Sequence, residues 1–113
     1  MYDKNNVFYK ILQSEIPAKK VFENDVALAF YDINPMCKVH VLVISKGLYR
    51  NFEEFVRLSS AEETKKFFET VSKIAEEVLG LGKSGYRILT NTGHDAGQEV
   101  EHFHVHILGG ERL

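Results

Sequence analysis

The sequence contains few of the features that mark secreted and membrane proteins. Its 113 residues include one cysteine, two prolines and no tryptophan. The single cysteine, Cys37, excludes an internal disulfide framework and is typical of a reducing compartment. No apolar run approaches the roughly 20 residues of a membrane-spanning helix, and the N-terminal segment lacks the hydrophobic core of a signal peptide. We therefore expect a cytoplasmic protein without a membrane partner.

Neither sign of charge predominates in the chain. Fourteen basic and 16 acidic residues give a formal net charge of -2 at pH 7. This balance provides no general attraction to the nucleic-acid backbone, so binding to bulk nucleic acid is not expected. A hydrophobic fraction of 44% is ordinary for a globular protein, and the length fits one domain over residues 1–113.

Hydrophobic periodicity predicts an α+β fold. A long helix is expected from Ser60 to about residue 79, because Ser60 and Glu63 form a capping-box pattern and apolar residues then recur at helical spacing. A short helix is expected near residues 6–13. Five segments resemble strands: 20–23, 26–32, 39–45, 86–91 and 101–108. Their grouping predicts a five-stranded antiparallel sheet with one long and one short helix.

The last predicted strand carries the most informative motif. Residues 102–108 read His-Phe-His-Val-His-Ile-Leu, and successive side chains of a strand point to opposite faces. His102, His104 and His106 would therefore share one face, about 7 Å apart at roughly 3.3 Å of rise per residue. Because burial of three unpaired imidazoles is costly, we expect this face to be open to solvent, a ligand or a metal.

Glycine-rich segments flank the histidine strand. Residues 93–98 read Gly-His-Asp-Ala-Gly-Gln, a loop whose backbone N–H groups could turn toward an anion, and Gly109-Gly110 follows the strand. Histidine is a suitable nucleophile near neutral pH, because its ordinary pKa of about 6.5 leaves a useful neutral fraction. Together these features favour phosphoryl or nucleotidyl transfer.

The histidine segment resembles the signature of the histidine triad (HIT) superfamily, in which three histidines alternate with hydrophobic residues. Further segments resemble the Hint branch of that superfamily: residues 8–11, 15–19, 29–33, 39–44 and 97–100. That branch comprises small purine nucleotide-binding phosphoramidases. The resemblance implies a single HIT domain that acts as a homodimer, with two five-stranded sheets joined across the final strand and the long helix. It implies no metal or organic cofactor.

The resemblance also implies roles for individual residues. His104 would attack the α-phosphorus of an adenosine 5′-phosphoramidate, and water would hydrolyse the nucleotidyl-histidine intermediate. His106 would contact the phosphate and the leaving group, whereas His102 and His40 would orient His104. Asp32 would bind the ribose hydroxyls of an AMP-like or GMP-like nucleotide. The remaining implied contacts are Phe8, Ile11, Phe30 and Ile33 for the base, and Asn91, Gly97, Gln98 and Glu99 for the phosphates.

Position 99 departs from the best-known animal relatives, which have a serine there as a phosphate ligand. A carboxylate repels a phosphate group. We therefore expect only the backbone N–H of Glu99 to serve as a phosphate donor.

Other interpretations fit the same residues. The protein could be a nucleotide-binding regulatory module with little catalysis, or a dinucleoside polyphosphate hydrolase of the same superfamily. The alternating histidines could also be a chance polar face. Finally, His-x-His on a strand has suitable geometry for zinc, with His40 as a further ligand, although no acidic or cysteine ligand pattern accompanies it.

Overall fold

A five-stranded antiparallel sheet forms the centre of the computed structural model, which describes all 113 residues. The strand order is β1-β2-β3-β5-β4. The strands are β1 (Lys20–Glu23), β2 (Ala27–Tyr31), β3 (Val39–Ser45), β4 (Tyr86–Leu89) and β5 (His104–Gly109). The predicted α+β class and five-stranded antiparallel sheet are confirmed. The last strand begins two residues later than the histidine motif, so His102 precedes β5.

Three helices accompany the sheet: α1 (Val7–Leu12), α2 (Phe52–Leu58) and α3 (Ala61–Lys73). A π-helical turn over Ile74–Val78 extends α3, so the predicted long helix is confirmed. Ser60 caps it by accepting a hydrogen bond from the Glu63 N–H at 3.0 Å. The Glu63 carboxylate instead accepts from the Tyr49 hydroxyl at 2.8 Å, so only half of the capping box forms. None of the helices combines the length and apolar character needed to cross a bilayer.

Helix α2 was not expected from the sequence. It is only seven residues long, which is too short for hydrophobic periodicity to separate it from a loop. The Asn51 side chain caps it by accepting from the Glu54 N–H at 2.9 Å. Phe55 of α2 is completely buried, and its ring stacks on Phe103 with the centroids 4.5 Å apart. Tertiary packing therefore stabilises this helix.

The larger hydrophobic core lies between the sheet and helices α2 and α3. It contains one alternating set of strand residues together with the buried stripe of α3, as the sequence predicted for Phe103, Val105 and Ile107. Its thirteen buried members are Ala27, Ala29, Val41, Val43, Phe55, Phe67, Val71, Ile74, Ala75, Leu81, Phe103, Val105 and Ile107.

The opposite face of the sheet is partly covered as well, so His102 and His104 are more buried than the open histidine face predicted from the sequence. Phe8 and Ile11 of α1 pack there against Leu28, Phe30, Leu42 and Ile44. His102 is 0% exposed and His104 only 7%. Burial is tolerated because these imidazoles are hydrogen-bonded, which removes the penalty that the sequence argument assigned to unpaired rings.

Strand register determines where the site forms. In the β3–β5 pair, His40 lies opposite Leu108 and Leu42 lies opposite His106. Residues directly opposite each other share a face, so His40 is a diagonal neighbour of His106. Strand β5 has partners on both sides, which leaves β1 and β4 as the free edges of the sheet.

Candidate active site

A cavity of about 440 Å³ lies on the histidine face of the sheet. It is bordered by α1, the turn after β2, strands β3 and β5, and the glycine-containing loop before β5. The lining residues are Phe8, Asp32, Asn34, Met36, His40, Leu42, Asn91, Gly97, Gln98, Glu99, Val100, His104 and His106. Nine of these thirteen residues are among those predicted from the sequence as site residues.

The protonation of the His104 ring is determined by a backbone carbonyl. His104 Nδ1 lies 2.6 Å from the carbonyl oxygen of His102. A carbonyl oxygen only accepts hydrogen bonds, so Nδ1 carries the proton and Nε2 keeps its lone pair. The edge of the Phe8 ring contacts the imidazole, with the two centroids 4.9 Å apart. His104 therefore presents one unprotonated nitrogen from a fixed ring.

Burial keeps His104 uncharged. Removal from water lowers the pKa of this imidazole below its ordinary value, although the hydrogen bond to His102 and the negative charge of Asp32 partly oppose the shift. A neutral imidazole is the nucleophilic form. The environment of His104 therefore favours the reactive species at neutral pH.

A second network determines the protonation of His106. The Met36 N–H donates to His40 Nδ1 at 3.1 Å, so the proton of a neutral His40 lies on Nε2. His40 Nε2 then donates to His106 Nδ1 at 2.9 Å, which leaves the His106 proton on Nε2. Burial, with repulsion from His104 and His40, lowers the pKa of His106 to about 4. His106 is therefore a neutral N–H donor that lines the cavity.

His102 lies behind the cavity and does not line it. Its Nε2 donates to the Ser45 carbonyl oxygen at 2.6 Å, and its Nδ1 is hydrogen-bonded to the Tyr2 hydroxyl. Burial lowers the pKa of His102 to about 4, with the Ser45 hydrogen bond in partial opposition. His102 acts on the site through its backbone carbonyl, to which His104 donates.

Asp32 has two different neighbours. Its Oδ1 accepts from the Asn34 N–H at 2.8 Å, which stabilises the turn after β2. Its Oδ2 lies 3.5 Å from His40 Nε2. The carboxylate thus combines the turn-stabilising role with a position in the cavity wall.

The side chains that could hold a cation differ from those suggested by the strand motif alone. Ligand atoms of Asp32, His40 and His106 all lie within 4.8 Å of one another. His102, whose two ring nitrogens already have partners, is not among them. A cation bound by both His40 Nε2 and His106 Nδ1 would replace the hydrogen bond between them.

The loop before β5 is held by the Gln98 side chain. Gln98 Oε1 accepts from the Gly93 N–H at 2.9 Å, and Gln98 Nε2 donates to the carbonyl oxygens of Arg50 and Val100 at 2.7 and 3.1 Å. The Gln98 amide is therefore occupied in shaping the loop. In contrast, the backbone N–H groups of Glu99 and Val100 make no hydrogen bonds within the protein, so they remain available to an anion.

The residues predicted to bind the base are divided between two depths. Phe8 lines the cavity, whereas Phe30 and Ile11 are buried behind it, with Phe30 edge-to-face against Phe8 at 5.7 Å. Ile33 is 91% exposed and does not line the cavity.

Four lining residues, and one residue behind them, were not predicted from the sequence. Leu42 could have been found, because strand alternation places it on the face of His40. Asn34, Met36 and Val100 belong to turns whose path the sequence does not reveal. Tyr2 is separated from His102 by 100 positions along the chain, and no local pattern indicates that contact.

Comparisons with known proteins agree on one domain family. The sequence profile described as "HIT domain" matches residues 13–113. An uncharacterized HIT-like protein of Azospirillum brasilense is 48% identical over 99% of this chain and 91% of its own length. A solved HIT family hydrolase from Clostridium thermocellum has a TM-score of 0.83 and 38% identity, over 96% of this chain and 93% of that one. A solved histidine triad nucleotide-binding protein from Candida albicans has a TM-score of 0.80 and 30% identity, over 91% and 73%.

The buried neutral imidazoles predict a pH dependence of stability. The unfolded chain protonates His102 near pH 6.5, whereas the folded chain does so only near pH 4. The unfolded state therefore binds more protons between these values, and stability falls as the pH is lowered. We expect His102 to contribute a loss of about 2 kcal/mol in the free energy of unfolding between pH 7.5 and pH 5, with a further loss from His106.

Urea denaturation at both pH values measures this difference. His94→Asn is the matched control, because the His94 side chain is fully exposed in the loop before β5. Its free energy of unfolding should change between pH 7.5 and pH 5 by the same amount as that of the wild type. The free energy of unfolding of His102→Asn should change less between the two pH values. Equal unfolding free energies at pH 7.5 and pH 5 for the wild type would contradict the neutral, buried state of His102.

Proposed function

Because this chain belongs to the HIT family, we propose that it hydrolyses purine nucleoside 5′-phosphoramidates through a nucleotidyl-His104 intermediate. The observation that carries this proposal is the protonation of His104, a cavity-lining imidazole whose Nδ1 proton is held by a backbone carbonyl. The hydrolase and nucleotide-binding descriptions of the similar solved structures support the same reaction class.

In the first step, the Nε2 lone pair of His104 forms a bond to the α-phosphorus, and the P–N bond breaks. Its electron pair stays on the amine nitrogen, which takes up a proton from solvent and departs. The His106 Nε2–H donates a hydrogen bond to the phosphoryl oxygen or to the leaving nitrogen. The phosphorylated imidazole becomes cationic, and the hydrogen bond from Nδ1–H to the His102 carbonyl stabilises that charge.

In the second step, the oxygen of a water molecule bonds to the phosphorus, the water releases one proton to solvent, and the bond to Nε2 breaks. The electron pair returns to His104 and restores its neutral form, while the nucleoside monophosphate leaves. The free backbone N–H groups of Glu99 and Val100 are the donors available for the negative charge on the phosphoryl oxygens in both steps. No metal or organic cofactor takes part in the proposed reaction.

The nucleoside would contact Asp32 and Phe8, which both line the cavity. A carboxylate with acceptor oxygens suits the two ribose hydroxyls, and an aromatic ring suits the face of a purine. Phe30 supports the Phe8 ring from behind. We therefore propose an AMP-like or GMP-like nucleoside monophosphate as the product.

The charge of the cavity favours a phosphoramidate over a dinucleoside polyphosphate. None of the thirteen lining residues is lysine or arginine, and two of them, Asp32 and Glu99, are carboxylates. His104 and His106 are neutral for the reasons given above. A phosphorus centre with a single negative charge suits such a wall better than a polyphosphate chain, which phosphate-binding sites usually meet with cations.

His104→Ala should abolish catalysis and leave nucleotide binding largely intact, because it removes the attacking nitrogen and leaves the other lining residues in place. We expect turnover of adenosine 5′-phosphoramidate to fall by at least about 10³-fold. In the wild type, a single-turnover reaction quenched in base should contain protein with one added nucleotidyl group, detected by intact mass.

His94→Ala is the matched control and should react like the wild type. A wild-type protein that binds AMP without ever forming the adduct would instead indicate a nucleotide-binding regulatory module. Turnover that survives in His104→Ala would show that His104 is not the nucleophile.

Glu99 should discriminate against highly anionic substrates. Glu99→Gln removes one of the two carboxylates that line the cavity, and one such interaction in water is worth about 1 kcal/mol at 4 Å, or about fivefold. We expect the ratio of kcat/KM for a dinucleoside tetraphosphate to that for the phosphoramidate to rise by this factor at low salt. Glu101→Gln is the control, because Glu101 is exposed and does not line the cavity. An unchanged ratio, or an equal rise in both variants, would contradict the electrostatic argument.

We also propose that the protein forms a homodimer through β4. This strand is a free edge of the sheet, and the exposed apolar side chain of Ile88 lies on it. Unpaired edge strands are usually covered, and antiparallel pairing of β4 with the β4 of a second copy would continue the sheet. The final strand, β5, cannot supply this contact, because it already pairs with β3 and β4.

Light scattering should therefore give twice the chain mass for the wild type. Ile88→Glu should shift the protein toward the monomer, because it places a charge in the proposed interface. Ile33→Glu is a control with the same change at an exposed position after β2, from which β4 is separated by two strands. A wild-type monomer at micromolar concentration, or a dimer unaffected by Ile88→Glu, would refute the β4 interface.

A further inference from the structure

The N-terminal segment contacts the histidine that lies behind the nucleophile. The Tyr2 hydroxyl is hydrogen-bonded to His102 Nδ1, and the two rings meet edge-to-face with centroids 5.5 Å apart. We propose that Tyr2 is a positioning residue, which holds His102 so that its backbone carbonyl fixes the protonation of His104. This inference rests on the proposed function, because it assigns a role in the same reaction.

The direction of each hydrogen bond in this network can be assigned. Asn6 Nδ2 donates to the Tyr2 oxygen at 2.9 Å. His102 Nε2 donates to the Ser45 carbonyl oxygen, so Nδ1 of the neutral ring has no proton and must accept. The Tyr2 hydroxyl is therefore the donor to His102. Both nitrogens of this ring are thereby held, one by β3 and the other by the N-terminal segment.

His102 links the Tyr2 contact to the nucleophile. The His102 carbonyl oxygen accepts the His104 Nδ1–H at 2.6 Å, and His102 lies outside the regular hydrogen bonding of β5. The position of its carbonyl therefore depends on local contacts, because the regular hydrogen bonds between strands do not include His102. If the ring of His102 turned, the carbonyl could move and the proton of His104 could shift to Nε2.

The surroundings of Tyr2 suit a permanent donor. Its ring is partly buried and meets Tyr9 edge-to-face at 6.2 Å. Burial raises the pKa of the Tyr2 phenol, so the hydroxyl keeps its proton through the neutral and mildly alkaline range. The HIT domain profile begins at residue 13, so Tyr2 and Asn6 lie outside the matched region.

Tyr2→Phe tests the proposal directly, because it removes the donor and keeps the ring. We expect kcat for the phosphoramidate to fall roughly 10-fold, which is the lower end of the range for loss of a group that orients a metal-ligating histidine. The KM and the dissociation constant for AMP should remain within twofold of wild type, because Tyr2 does not line the cavity.

Asn6→Asp provides a second variant with the phenol intact. Aspartate is as good an N-cap as asparagine. Helix α1 should therefore keep its cap, in which the side-chain oxygen of residue 6 accepts a hydrogen bond from the Tyr9 N–H, at 2.9 Å for Asn6. A carboxylate only accepts, however, and it would draw the Tyr2 hydroxyl proton away from His102. The loss of kcat should therefore resemble that of Tyr2→Phe.

Tyr9→Phe is the matched control. It deletes the same atom from the same segment, and the Tyr9 hydroxyl makes no hydrogen bond within the protein. Its kcat should equal that of the wild type. All variants are compared at a temperature where urea denaturation shows that they are fully folded.

The outcomes separate positioning from simple stabilisation. A wild-type kcat in Tyr2→Phe, with only a lower free energy of unfolding, would overturn the proposal. So would an equal loss in Tyr9→Phe, or a parallel loss of AMP affinity. A wild-type protein that forms no nucleotidyl adduct contradicts the proposed function itself, which is a result distinct from an active wild type with an equally active Tyr2→Phe.

Discussion

The requirement that buried imidazoles remain uncharged and hydrogen-bonded governs this site. A buried ring that took up a proton would need a partner for its charge, so His102, His104 and His106 are each protonated on only one nitrogen. Backbone groups then determine which nitrogen that is: the Ser45 carbonyl for His102, the His102 carbonyl for His104 and, through His40, the Met36 N–H for His106. The chemistry of the cavity follows from these contacts.

The two networks have complementary ends. One begins at Asn6 and runs through Tyr2 and His102 to His104, which is left with a free lone pair. The other begins at the backbone of Met36 and runs through His40 to His106, which is left with a free N–H donor. A lone pair and a donor on neighbouring residues of one strand face are the groups needed to attack a phosphoryl centre and to stabilise its oxygens.

Strand alternation and helical periodicity are local properties, so they were sufficient for the sheet, the long helix and the row of histidines. Most of the other cavity-wall residues were implied by the resemblance to the HIT superfamily. Prediction from the sequence failed where long-range packing decides. The histidine face was expected to be open because α1 could not be placed over it. The role of Phe55 in stabilising α2 depends on Phe103, which lies just before β5 and is distant along the chain. Gln98 lines the cavity, and its amide holds the loop through Arg50, 48 positions away, a contact that no local pattern indicates. Tyr2 was missed for the same reason.

The central claim is that His104 is neutral at pH 7, with its proton on Nδ1. Long-range proton–nitrogen correlation NMR of uniformly ¹⁵N-labelled protein measures this, because protonated and unprotonated imidazole nitrogens resonate far apart, and His104→Ala assigns the signals. The account predicts a protonated Nδ1 and an unprotonated Nε2 for His104. A proton on Nε2, or a doubly protonated ring at pH 7, would contradict it.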